Sequence, residues 1–167
     1  MNLELTGSSL LDLRMVSIRK FRAADAQQVS ELIGFTMARS NRRDYPLKRL
    51  QPLIDYFSPS KVAQLNQKRD CFVAELGTLI VGTAALEAAT LQTFFVHPNY
   101  QKQGIGTRLL EVVEHAALSK GLTQLTINAS LTGTPFYERH GYSRTGRVFE
   151  NVAGKQIEIE KHWSIPR

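Results

Sequence analysis

Hydrophobic positions change period several times along the chain, and the changes mark its elements. Val16 to Lys20 predicts a first strand. From about Arg22 to Arg39, Val29, Leu32, Ile33 and Thr36 share one helical face. Asp25 lies in the first turn of that helix, where a negative charge complements the dipole. Asn41 to Pro46 is polar and reads as a loop. A weaker helical region runs from Leu47 to Phe57, and Ser58-Pro59 opens a short helix to about Asn66. Arg69 to Leu76 and Leu79 to Leu86 are strand-like runs around Gly77-Thr78, a hairpin turn signal. Ala89 to Val96 is a third strand of that series.

The pattern then becomes strand, loop, helix, strand. His97-Pro98 and a glycine-bearing loop lead into a helix with Ile105, Leu109, Val112, Val113 and Ala116 on its apolar stripe. Gly121 is placed to end it. Leu125 to Ala129 is the next strand, and a crossover of this kind makes the two flanking strands parallel. A short helix, Thr134 to Arg139, and two closing strands, Ser143 to Phe149 and Gln156 to Trp163, complete the chain, with a turn at Asn151 to Gly154. The expected architecture is an α/β (α+β) mixed sheet with helices on its faces. Residues 1–167 are expected to form one domain with a core from about 16 to 163.

Composition narrows the options. Hydrophobic residues make up 43% of the chain, enough for a core, and none of the apolar runs approaches the ~20 residues of a membrane span. The first residues, MNLELTGSSLLDLRM, lack a basic start and a long apolar run, so a cytoplasmic location is expected. Cys71 is the only cysteine, which rules out an intrachain disulfide and cysteine-based zinc sites; it reads as a buried strand residue. His115, His140 and His162 show no metal-ligand spacing and read as surface or packing residues. The net charge of +6 would attract anions, but the basic residues are dispersed and not interleaved with aromatics. Nucleic-acid binding therefore rests on charge alone and is not expected, and neither is a membrane partner.

The chemistry-bearing stretch is Gln101-Lys102-Gln103-Gly104-Ile105-Gly106, which follows a strand and opens a helix. First-turn amides of a helix have no internal partners and bind phosphate well. Gly104 and Gly106 allow close backbone approach, Thr107 adds a hydroxyl and Lys102 a charge. No Gly-Lys-Ser/Thr follows, so this is not a Walker loop, and Leu109 occupies the third glycine position of a dinucleotide fingerprint.

With Val96-His97-Pro98 before it, this stretch resembles the acyl-CoA signature of the GNAT superfamily, Gln/Arg-x-x-Gly-x-Gly/Ala. Further on, Phe136-Tyr137-Glu138-Arg139-His140-Gly141-Tyr142 resembles the second signature, Phe-Tyr-x-x-x-Gly-Phe/Tyr. The resemblance covers Phe72 to Trp163 well; the first seventy residues match mainly in element order. It implies a twisted, mostly antiparallel sheet splayed between its fourth and fifth strands, with acetyl-CoA in the cleft. Carried over, the backbone of Phe94 and Val96 would hold pantetheine. The segment Gln101, Lys102, Gln103, Gly104, Ile105, Gly106 and Thr107 would hold the pyrophosphate. Ser130 stands where many relatives have a cofactor-contacting Asn.

The implied reaction is acetyl transfer to a primary amine of a small molecule or peptide by direct attack in a ternary complex, with no metal. By resemblance Tyr137 faces the CoA sulfur as an acid. The position of the family's frequent glutamate base holds Thr90, which leaves Glu87 through a water, His97, or no dedicated base. A catalytically silent acyl-CoA-binding or regulatory module is the alternative; the presence of Tyr137 speaks against it. A homodimer is a further expectation, as it is common in the family.

Overall fold

The computed structural model describes residues 15–40, 45–151 and 154–164. In chain order the elements are β1 (Val16–Lys20), α1 (Ala26–Arg39, preceded by a 3-10 turn at Ala23–Asp25), α2 (Leu47–Tyr56), α3 (Pro59–Asn66), β2 (Asp70–Leu76), β3 (Leu79–Glu87), β4 (Thr90–Val96), α4 (Ile105–Ser119), β5 (Gln124–Ser130), α5 (Thr134–Arg139), β6 (Ser143–Asn151) and β7 (Gly154–His162). The seven strands form one sheet in the order β1-β2-β3-β4-β5-β7-β6. All neighbours are antiparallel except β4 and β5, the pair expected to be parallel.

Period-two alternation in the central strands divides the core. Phe72 and Ala74 of β2 join Leu109, Leu110 and Val113 of α4 on one face, while Val73 joins Val29, Leu32 and Ile33 of α1 on the other. Leu109, Leu110 and Val113 are at most 1% exposed, and each stabilises the fold by roughly 1.5–3 kcal/mol. Gly82 of β3 permits the close approach of α4: a Cβ there would lie 2.8 Å from Leu109 Cδ1. The buried stripe of α4 includes Leu110 and Ala117, whereas Val112 and Ala116 sit at its partly buried margin. The face is therefore rotated slightly from the sequence expectation.

Charged residues tie the first strand to its neighbours. Arg19 donates to both oxygens of Asp25, at 2.8 and 3.0 Å, and to both oxygens of Glu75, at 2.8 and 3.0 Å. Asp25 also accepts from the Arg22 amide at 2.6 Å. These bonds hold its carboxyl below the usual range, chiefly through Arg19.

Two features open the sheet. Thr83 pairs with Phe95 and Ala85 with Gln92, so β4 carries one more residue than β3 across that interval. Thr93 takes a positive φ of 43° within this bulge. Bulges re-aim side chains and end pairing. The parallel pairing of β4 with β5 is confined to Thr90 with Thr126 and Leu91 with Ile127. Beyond Leu91 the strands diverge, and the cleft opens alongside the bulge.

Candidate active site

The edge of β4 that faces the cleft leads directly into the glycine-bearing loop. His97 donates its amide to Val81 of β3 at 2.8 Å. By strand alternation the polar groups of Val96 point the other way, toward the cleft. The Val96 carbonyl accepts from Gln101 Nε2 at 2.9 Å, and the same amide nitrogen donates to Ser40 Oγ at 3.2 Å. Gln103 Nε2 donates to the Asn99 carbonyl at 3.1 Å. Both glutamine side chains therefore brace the loop, and what the loop presents is backbone.

Its backbone suits an anion. Lys102 and Gly104 have φ of 60° and 86°, and alternation with left-handed residues turns successive amides to one side. Arg108 makes the first intrahelical bond, to Gly104 at 3.1 Å, so the amides of Ile105, Gly106 and Thr107 precede the ladder. Lys102 is exposed. The two glycines serve different purposes. A Cβ at Gly104 would touch nothing within 4 Å, so that glycine answers to its positive φ. A Cβ at Gly106 would lie 3.4 Å from the Phe136 ring, so that one also answers to packing against α5.

An aromatic cluster closes the other wall. Phe94, re-aimed by the bulge, lies 5.7 Å from both Phe136 and Tyr137, centroid to centroid. Tyr137 also meets Phe136 at 5.1 Å and Tyr142 at 5.9 Å. Its ring is 7% exposed. Among the described residues nothing hydrogen-bonds to its hydroxyl, and burial pushes the phenol well above its ordinary range. Ser130 Oγ accepts from the Gly133 amide at 3.0 Å, and its carbonyl accepts from Thr134 Oγ1 at 2.9 Å. Ser130 thus shapes the turn into α5 while its hydroxyl proton stays available to donate to a ligand.

A family model for the acetyltransferase (GNAT) domain matches residues 41–154, more than half of the chain. The chain belongs to the GNAT acetyltransferase family. It is 24% identical over 148 residues to the uncharacterised N-acetyltransferase YafP of Escherichia coli K12, covering 89% of this chain and 90% of that protein. Its fold matches a GCN5-related N-acetyltransferase from Rhodopseudomonas palustris with a TM-score of 0.80, at 20% identity over 87% of this chain and 94% of the other. It matches PaiA N-acetyltransferase from Thermoplasma acidophilum, solved in complex with coenzyme A, with a TM-score of 0.73, at 19% identity over 89% and 99%.

In this N-acetyltransferase the candidate bases are not brought to Tyr137. Glu87 accepts from Arg69 Nε at 2.8 Å and pairs in register with Thr90. Phe94 stands four positions beyond Thr90, past the bulge at Thr93. His97 Nδ1 accepts from the Asn99 amide at 3.2 Å, so the proton of the neutral ring resides on Nε2 and neither nitrogen keeps a free lone pair for a base. Burial, with help from Arg39, lowers its pKa and favours that neutral form. Its ring stacks on Phe35 with centroids 5.0 Å apart. Arg39 lies over the Phe35 ring, 5.9 Å from its centroid. Cys71 is half-buried, and burial pushes its thiol up to about 11.

One residue read from sequence as surface or packing belongs to this site. His140 Nδ1 lies 2.7 Å from the Phe136 carbonyl, and its Nε2 lies 3.0 Å from Thr107 Oγ1. The available signal was its position four residues after Phe136 in the second signature; its partner Thr107 is far away in sequence. Among the described residues there is also no helix long and apolar enough to cross a membrane.

Proposed function

We propose that this GNAT protein transfers the acetyl group of acetyl-CoA to a primary amine of a small molecule or peptide, by direct attack in a ternary complex. The observation that carries the reading is the cleft itself. It has anion-ready amides at one end and the unpartnered hydroxyl of Tyr137 on its wall. The coenzyme A held by the PaiA relative supports the same choice of donor.

The site suits the thioester without an enzyme nucleophile. A thiol with a pKa of about 11 is protonated at neutral pH, so Cys71 supplies no thiolate. The amine therefore attacks the carbonyl carbon itself. A C–N bond forms, the C–S bond breaks, and the sulfur leaves with the electron pair. The loop amides from Lys102 to Thr107 hold the pyrophosphate, with Lys102 adding charge; the β4 edge at Phe94 and Val96 pairs with pantetheine, and the Ser130 proton is available to it.

Tyr137 acts here as a hydrogen-bond donor more than as a proton donor. Its pKa is raised by burial, whereas a thiol ordinarily ionises near about 8.5. Full proton transfer from phenol to thiolate would run uphill. A hydrogen bond that strengthens as charge builds on sulfur stabilises the transition state without that transfer. The proton lost by the amine neutralises the thiolate or passes to water. Glu87, held by Arg69, is reached only through intervening water.

A panel of primary amines and peptides, assayed for acetyl-CoA-dependent thiol release and for the N-acetyl product by mass spectrometry, tests the reading. A product gaining one acetyl group per thiol released is expected. Binding of acetyl-CoA with no transfer across the panel would favour the silent acyl-CoA-binding module instead.

A further inference from the structure

The second inference rests on the cofactor site just proposed and concerns protons. The Phe136 carbonyl can only accept, so His140 Nδ1 carries a hydrogen. In the neutral ring Nε2 is then a bare acceptor, and the single hydroxyl proton of Thr107 is directed to it at 3.0 Å. Thr107 is the third residue of α4, beside the amides that precede the helical ladder. In this state its oxygen presents only lone pairs toward the loop, which repel a phosphate oxygen. When the ring takes up a proton, Nε2–H donates to Thr107 Oγ1, and the hydroxyl proton becomes free to turn to an anion.

We infer that binding of a phosphate group at the start of α4 is coupled to protonation of His140, with Thr107 as the relay between them. His140 is thus a positioning residue: it sets the direction of the Thr107 hydroxyl and places a positive charge behind it. The atoms balance, since one solvent proton enters Nε2 and no covalent bond other than N–H forms. The other titratable groups on the packed elements have their own positions. Arg108 donates to the Val16 carbonyl, Glu114 accepts from Lys161 and Tyr142, and Glu138 accepts from Arg144. Lys102 lies on the loop, Glu111 and His115 on α4, and Tyr137 and Arg139 on α5. None of these groups hydrogen-bonds to His140 in the described structure.

Proton uptake can be read by calorimetric titration of coenzyme A near pH 7 in two buffers of different ionisation enthalpy. Dephospho-CoA serves as the control, because it lacks the phosphomonoester that itself titrates near about pH 6. Wild-type protein is expected to take up a fraction of a proton with either ligand. Its affinity should fall as pH rises, by up to about tenfold per pH unit for one proton taken up on binding. Thr107→Val removes the hydroxyl at nearly constant shape, and His140→Gln cannot ionise; both should abolish the uptake and flatten the pH profile. Unfolding of the apo variants is followed alongside, and the wild-type measurement stands without them. Binding without proton uptake, or uptake unchanged in Thr107→Val, would overturn the coupling while leaving the cofactor site intact. No binding of either ligand by wild-type protein would overturn the coupling together with the proposed function.

Discussion

Replacing Tyr137 with Phe separates chemistry from folding. The ring stays in place against Phe94, Phe136 and Tyr142. The lost hydroxyl leaves no protein group unpaired, so stability should change by less than about 0.5 kcal/mol. What disappears is one hydrogen bond to a developing thiolate. Hydrogen bonds to charged groups are worth about 1.5–3 kcal/mol, which at 1.4 kcal/mol per tenfold is a loss of roughly 10- to 150-fold in rate. The loss should fall on kcat, with coenzyme A affinity nearly unchanged, because the pyrophosphate and pantetheine contacts lie elsewhere. The assay is single-turnover acetyl transfer with excess enzyme, so that product release does not mask the chemical step. Because burial raises the phenol pKa, the wild-type rate should show no alkaline loss due to Tyr137 up to about pH 10, the ordinary phenol value. An unchanged single-turnover rate would reduce Tyr137 to a packing residue. A stability loss of several kcal/mol would show that the hydroxyl has a structural partner and refute the argument.

Other expectations follow from the same structure. Gly104→Ala places a side chain at φ 86°, a left-handed conformation costing about 1–2 kcal/mol, so the melting temperature should fall by several degrees in differential scanning calorimetry. Asp25 has a lowered folded-state pKa, so its contribution is present above the unfolded value near about 3.9 and is lost as pH falls below it. Urea unfolding should therefore show a steep acid limb, and Asp25→Asn should flatten it while costing about 3 kcal/mol at pH 7. Glu87→Gln should lower kcat/KM less than threefold, since Glu87 is held by Arg69 and is not among the side chains packed on Tyr137; a loss above tenfold would identify Glu87 as the base.

Much of this architecture was legible because local patterns and tertiary packing agree. The boundaries of β1, α2, α3 and α5 follow from apolar period, Ser58-Pro59 and the two signatures. The Gly77-Thr78 turn and the parallel β4–β5 crossover emerged as expected. The β3–β4 turn was less visible, because Ala88 adopts a φ of 51° without being glycine or asparagine. Thr93 hides the bulge in the same way, since a threonine in a strand-like run gives no sign of left-handed backbone. Polar side chains proved harder to place than backbone. Gln101 and Gln103 lie in the cofactor signature, yet they satisfy loop carbonyls, and Ser130 satisfies the Gly133 amide. Such assignments depend on which buried polar groups need partners, and that is decided by tertiary geometry. The bond from Tyr45 to the Lys155 carbonyl, at 2.6 Å, is of the same kind, joining the segment before α2 to the start of β7.

Backbone amide hydrogen exchange, with and without acetyl-CoA, tests the central claim most directly, because the claim is about where the donor lies. Protection on adding acetyl-CoA is expected in two segments, the free edge of β4 at Phe94 and Val96 and the loop from Lys102 to Thr107, with little change in β1 and β2. Protection confined to other segments, or none at saturating acetyl-CoA, would contradict the placement of the donor in the cleft between β4 and β5.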